Sequence, residues 1–144
     1  MGDNLDDDNF REEKNFDKSE MKLVIPKIDF DMNIYNINSE LNNVDYNIEI
    51  LGSSDFENNL FYIVGHSGNG NNCYFNDLKE LQIKDNVYIF INNKVIVYEI
   101  INKYFIVKNG YMEIYNNKSG YIYLITCDIF NNNKQLVLEG MMIN

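Results

Sequence analysis

The amino-acid sequence predicts a mostly β domain, a closed or nearly closed barrel or a sandwich, with one or two short helices. Three observations carry this. From Met21 onward the chain consists of short apolar or alternating runs broken by Asn, Asp and Gly, the texture of many strands separated by turns. Helical periodicity is weak throughout. The 144 residues, 45% hydrophobic and 14% aromatic, suffice for the packed core of one domain but not two.

The elements follow in order. Residues 22–28 (KLVIPKI) read as a strand, with Pro26 at an edge or a bend, because proline cannot donate to a ladder. Residues 32–37 (MNIYNI) alternate. Residues 59–65 (NLFYIVG) are a continuous apolar run, expected of a buried strand. Residues 86–91 and 94–105 flank Asn92-Asn93, a dipeptide suited to a tight hairpin turn. Residues 121–126 (YIYLIT) and 135–141 (QLVLEGM) complete the strands. Residues 39–43 and 74–81 could each form a helical turn or two, with Ser39 and Asn76 as N-caps.

The formal net charge is −10 and the sequence pI about 4.4. Such a field repels phosphate backbones and anionic headgroups, so no nucleic-acid partner is expected. Residues 1–20 hold eight acidic side chains against three basic ones, with few apolar residues between them. They are predicted to be an acidic, disordered linker, and residues 21–144 the folded domain. No apolar run approaches the ~18–20 residues of a membrane-spanning helix, and no signal-peptide pattern opens the chain.

Two cysteines and one histidine bound the chemistry. Cys127 stands where a buried strand gives way to Asp128 and an Asn-rich loop. A thiol on the end of a rigid strand is both held and reachable, as a nucleophile requires, although a free cysteine is also commonly a small buried hydrophobe. His66 ends another buried strand and opens the loop HSGNGNN, and is the only histidine available to pair with a thiol. Cys73 is expected to serve packing. A four-ligand Cys/His zinc site cannot be built from three such residues, and no metal or cofactor is predicted. Gly65, Gly68 and Gly70 lack the Gly-Lys-Ser/Thr that a phosphate loop requires. The group Asp55, Glu57, Asn58 and Asn59 lacks EF-hand spacing and reads as a solvated loop.

These pieces, in this order, resemble the sortases, the cysteine transpeptidases of Gram-positive bacteria. The resemblance runs over residues 22–142. LVIPKI at 23–28 is similar to the family's first strand. FYIVGHSG at 61–68 is similar to the strand and loop presenting its histidine, and YFNDLKELQIKD at 74–85 to the following F-x-x-L…l-x-x-G-D segment. LITCD at 124–128 is similar to its Thr-Leu-x-Thr-Cys signature. The resemblance is to the class A/D-like type or an unclassified clostridial-type subgroup.

The resemblance implies an eight-stranded sortase-like β-barrel, with Cys127 as nucleophile and His66 as acid/base. It implies cleavage of a Thr–Gly type bond in an LPxTG-like sorting signal through a thioacyl-enzyme. Transfer to an amine of a cell-wall precursor or a pilin would follow. The implied partners are sorting-signal-bearing surface proteins or pilins, and the implied location of the full-length protein is the extracellular face of the cytoplasmic membrane or the cell wall. Two departures stand out. Sortases carry an arginine on the strand after the cysteine, whereas Arg11 is the one arginine here. Gln135 falls at that position, with Lys134 beside it as the alternative. Asp85-Asn86 stands where Gly-Asp is usual. The competing readings are a weakly active or inactive sortase-fold protein that binds sorting-signal peptides, a Cys/His hydrolase, and last a zinc site of His66, Cys73 and Cys127.

Overall fold

The computed structural model describes residues 21–68, 70–107, 118–128 and 131–144, with the backbone alone at 127, 128, 131 and 132. The segment 1–20, expected to be a linker, lies outside the described residues. Among the described residues, eight strands form one sheet: β1 (Met21–Ile25), β2 (Phe30–Ile34), β3 (Glu49–Ile50), β4 (Phe61–Gly65), β5 (Asn86–Ile91), β6 (Lys94–Val107), β7 (Tyr121–Asp128) and β8 (Asn131–Met142). Their spatial order is β2-β1-β5-β6-β8-β7-β4-β3. Every pairing is antiparallel except β4 with β7, which is parallel.

The sheet curls into a nearly closed barrel because one face must be buried. Leu23 and Ile25 of β1, Phe30 and Ile34 of β2, Ile50 of β3, Phe61 and Ile63 of β4, and Val87 and Ile89 of β5 belong to one buried cluster. Tyr98 of β6, Ile122 and Leu124 of β7, and Leu136 and Leu138 of β8 join it. Edge strands β2 and β3 thus contribute to one shared interior although they are farthest apart in sheet order. Each fully buried Leu, Ile or Phe contributes about 1.5–3 kcal/mol by removing apolar surface from water. Phe75, Leu78 and Leu81, on and beside a 3₁₀ turn at Asn76–Glu80, close one side of this interior.

Several expected boundaries shift for local reasons. The first strand stops at Ile25, because Pro26 opens a 3₁₀ turn at Pro26–Ile28 and Asp29 turns the chain in the left-handed region (φ 53°). β3 was not legible as a strand, being two residues long. Residues 39–43 form turns, within which the Ser39 hydroxyl accepts from the Leu41 amide at 3.0 Å. Asn76 does not cap the helical turn it opens, since that role falls to Phe75, which makes no side-chain cap bond. The Asn92-Asn93 hairpin forms as expected, with φ 48° and 65° at its two central residues, the geometry of a type I′ turn.

The corner before β5 also differs. The left-handed backbone falls on Lys84 (φ 81°), one residue before the Asp85-Asn86 alignment placed it. Lys84 therefore takes the glycine's conformational role and Asp85 remains an aspartate. The Asp85 carboxylate accepts from the Gln82 amide at 2.7 Å and lies 2.9 Å from the Lys27 ammonium, tying the corner to the Pro26–Ile28 turn. Partial burial pushes this carboxyl upward, but the Gln82 amide, Lys27 and the Lys103 charge together hold it below its ordinary 3.8. A lowered native value means that the stabilisation is present above pH 3.8 and is lost as pH falls through the native value. Asp85→Asn should accordingly lower the melting temperature at pH 7. In parallel melting curves the gap to wild type should narrow steadily below about pH 4.

Candidate active site

The site is built by strand register. In the parallel pair, Gly65, the last residue of β4, lies opposite Thr126 of β7, so His66 leaves β4 beside Cys127, the next residue of β7. Across β7 and β8, Cys127 lies opposite Gln135. Across β6 and β8, Gln135 lies opposite Ile106. His66, Cys127, Gln135 and Ile106 therefore form one row at the end of four neighbouring strands.

The alternation of β8 separates the two candidates for the arginine position. Leu136 and Leu138 belong to the barrel interior, whereas Val137 belongs to a second cluster on the outer face. Gln135 shares the face of Val137 and is 5% exposed. Lys134 falls on the opposite face, is exposed, and lies opposite Val107.

The outer face below the row is apolar and aromatic. It holds Leu60, Tyr62 and Val64 of β4 and its approach, Ile106 of β6, Tyr123 and Ile125 of β7, and Val137 of β8. The Tyr62 and Tyr123 rings stack at 4.9 Å and 6°, and the Tyr123 hydroxyl donates to Glu139 at 2.7 Å. Burial, assisted by Glu139 and Tyr62, pushes the Tyr104 phenol up to about 12. The Tyr104 phenol is therefore neutral at physiological pH.

The loop after β4 explains how the histidine is presented. The Phe75 amide donates to the His66 carbonyl at 3.0 Å, closing the loop on itself. The Asn76 side chain bonds both sides of Gly68, accepting from its amide at 2.7 Å and donating to its carbonyl at 3.0 Å. A carboxamide here does the work of a peptide group in a strand pair. Gly65 must lack a side chain, since a Cβ would lie 2.7 Å from the Phe75 ring. Cys73, half-buried in the same loop, is a free thiol. Among the described residues, no group of three or more His, Cys, Asp or Glu side chains is placed to hold a metal ion.

One residue of the site was missed in the sequence. Asp45 lies 21 positions before His66, in the long connection between β2 and β3, and its Oδ1 is 3.3 Å from His66 Nε2. No motif or periodicity marks it. Its loop carries no regular structure that could have aligned it with the histidine.

Comparison with known proteins accords with this architecture. The family model of the sortase domain matches residues 23–143. Sortase A from Corynebacterium diphtheriae, a lid mutant, superposes with a TM-score of 0.74 at 22% identity, over 86% of this chain and 69% of that one. Sortase C1 from Streptococcus agalactiae gives 0.75 at 22% identity, over 88% and 68%. Sortase C-1 from Actinomyces oris gives 0.77 at 18% identity, over 90% and 77%. No curated protein matches by sequence. A nearly closed eight-stranded barrel with one parallel pair is thus the fold of a cysteine transpeptidase class. The chain belongs to the sortase family.

Gly65→Ala tests how tightly the histidine loop is set. Displacing the Phe75 ring should cost about 1–3 kcal/mol, as overpacking of a core generally does. Chemical denaturation should show that loss, and the His66 resonances should shift with it.

Proposed function

We propose that this chain is a sortase-type transpeptidase in which Cys127 is the nucleophile, His66 the acid/base and Gln135 the donor at the position of the family arginine. The observation that carries the reading is the strand register, which sets Gln135 opposite Cys127 and ends β4, one residue before His66, opposite the residue preceding Cys127. Further support comes from the family match over residues 23–143.

The chemistry runs in two halves. The Cys127 thiol gives its proton to His66, and sulfur attacks the carbonyl carbon of a Thr–Gly type bond in a sorting signal. The tetrahedral oxyanion accepts from donors that include the Gln135 carboxamide. As it collapses, the C–N bond breaks and His66 returns the proton to the leaving amine, leaving a thioester on Cys127. An incoming amine of a cell-wall precursor or pilin then loses a proton to His66 and attacks the thioester. The Cys127 sulfur departs and is reprotonated. Such an enzyme would act at the extracellular face of the cytoplasmic membrane or the cell wall.

Glutamine weakens this scheme at one point. Its amide can donate to an oxyanion but carries neither charge nor the guanidinium fork. That substitution favours, as a second reading, a protein that binds sorting-signal peptides with slow or no ligation.

Incubation with a panel of sorting-signal peptides and amine acceptors, read by mass spectrometry, separates the two. A thioester on Cys127 and a ligated product are expected from an enzyme; peptide binding with neither product defines the binder. Cys127→Ala should abolish transfer and Cys73→Ala should leave most of it, whereas the reverse pattern would show the nucleophile to be misassigned. Gln135→Ala should reduce kcat by ~10²–10³, as loss of one oxyanion donor does, and Lys134→Ala should change it little. Gln135→Arg should raise turnover or peptide affinity by restoring a charged, forked donor. A damaging Lys134→Ala beside a silent Gln135→Ala would instead shift the functional register of β8 by one residue.

A further inference from the structure

We propose that Asp45 is a positioning residue for His66, making the arrangement a cysteine–histidine–aspartate triad. The inference rests on the assignment of His66 and Cys127 made above and adds a member that neither the family signature nor the sequence indicated. Its basis is the 3.3 Å approach of Asp45 Oδ1 to His66 Nε2 together with a loop whose construction holds the carboxylate there.

That loop has no helix or strand, yet its backbone is braced at every step. The Asp45 amide donates to Asn43 Oδ1 at 2.9 Å. The Val44 amide donates to Glu49 Oε1 at 2.9 Å, and the Asn47 amide to the Asn43 carbonyl at 2.8 Å. The Val44 side chain packs against the outer apolar cluster that also carries Tyr62 and Val137. A further bond comes from the histidine's own loop, where Asn72 Nδ2 donates to the Asp45 carbonyl at 2.9 Å. The two loops are therefore tied to one another, and the carboxylate and imidazole keep their relative position although both side chains are solvent-accessible.

The placement suits the chemistry. Asp45 takes Nε2, and among the described residues Nδ1 has no protein partner, which leaves Nδ1 to exchange the proton with Cys127. When the S–H bond breaks, its electron pair stays on sulfur and the proton adds to Nδ1. The Nε2–H remains on the ring and donates to Asp45 Oδ1, and no proton passes to the carboxylate. The contact changes from a neutral hydrogen bond to a charge-assisted one as the ring becomes cationic, so it favours the charge-separated state over the neutral pair. That help falls where it is needed, since Gln135 brings no positive charge to the sulfur side.

The test compares wild type with Asp45→Asn and Asp45→Glu, using iodoacetamide alkylation mapped separately at Cys127 and Cys73, and peptide turnover. Asn keeps the shape and an acceptor but removes the charge. Asp45→Asn should slow Cys127 alkylation and reduce kcat by about tenfold, a fraction of the ~10²–10⁴ that a positioned acid/base supplies. KM and Cys73 reactivity should hold, and Asp45→Glu should recover most of the loss. Unchanged alkylation of Cys127 in Asp45→Asn would overturn the proposal. So would equal slowing at both thiols with a lowered melting temperature, which would reduce Asp45 to a structural brace. If wild type forms no thioester with any peptide while Cys127 reactivity still depends on Asp45, the transpeptidase reading fails and the positioning role stands.

Discussion

The parallel pairing of β4 with β7 is the constraint on which the rest of the molecule depends. Among the described residues the sheet is otherwise antiparallel, and this one parallel contact makes two strands run toward the same end of the barrel. Parallel strands cannot be joined by a tight turn and need a crossover. Here the crossover contains β5, β6 and the 3₁₀ turn at Asn76–Glu80. The consequence is chemical. The residues that come after the last β4–β7 pair, Gly65 and Thr126, are the lone histidine and a cysteine. Had β4 and β7 paired antiparallel, His66 and Cys127 would stand at opposite ends of the barrel.

Strands β7 and β8 are buried on both faces. Ile122 and Leu124 look into the barrel while Tyr123 and Ile125 belong to the outer cluster, and Leu136 and Leu138 alternate in the same way with Val137. A sheet that packs only its inner face would alternate apolar and polar residues. The continuous apolar run of β7 is instead the mark of two occupied faces, and the second of these is the face that carries Gln135. Glu139 enters it with its charge directed to the Tyr123 hydroxyl, so even the acidic residue of β8 has a polar partner.

Asparagine provides much of the architecture between strands. Asn42 bonds both the amide and the carbonyl of Ile50, at 2.7 and 3.1 Å, and Asn76 does the same for Gly68. Asn47 donates to the Leu41 carbonyl and Asn72 to that of Asp45. A carboxamide presents a donor and an acceptor in nearly the geometry of a peptide unit, so it satisfies backbone groups that irregular segments leave open. Composition alone suggests only that these stretches are polar and turn-prone. The loops are in fact ordered by side chains imitating backbone, and this ordering places Asp45 beside His66.

The sequence by itself determined the β class, the Asn92-Asn93 hairpin and the strands carrying the histidine and the cysteine, because these depend on local pattern and turn chemistry. It offered Gln135 at the family's arginine position by resemblance, with Lys134 as the alternative. It could not show the two-residue β3, the end of β1 at Ile25 or the left-handed turn at Lys84 rather than Asp85. Each of these is decided by which backbone groups find partners elsewhere in the fold. Above all, it gave no sign of Asp45. A contact across 21 residues between two irregular loops has no period and no motif; Asn43 and Glu49 shape the Asp45 loop, and Asn72 ties it to the histidine loop.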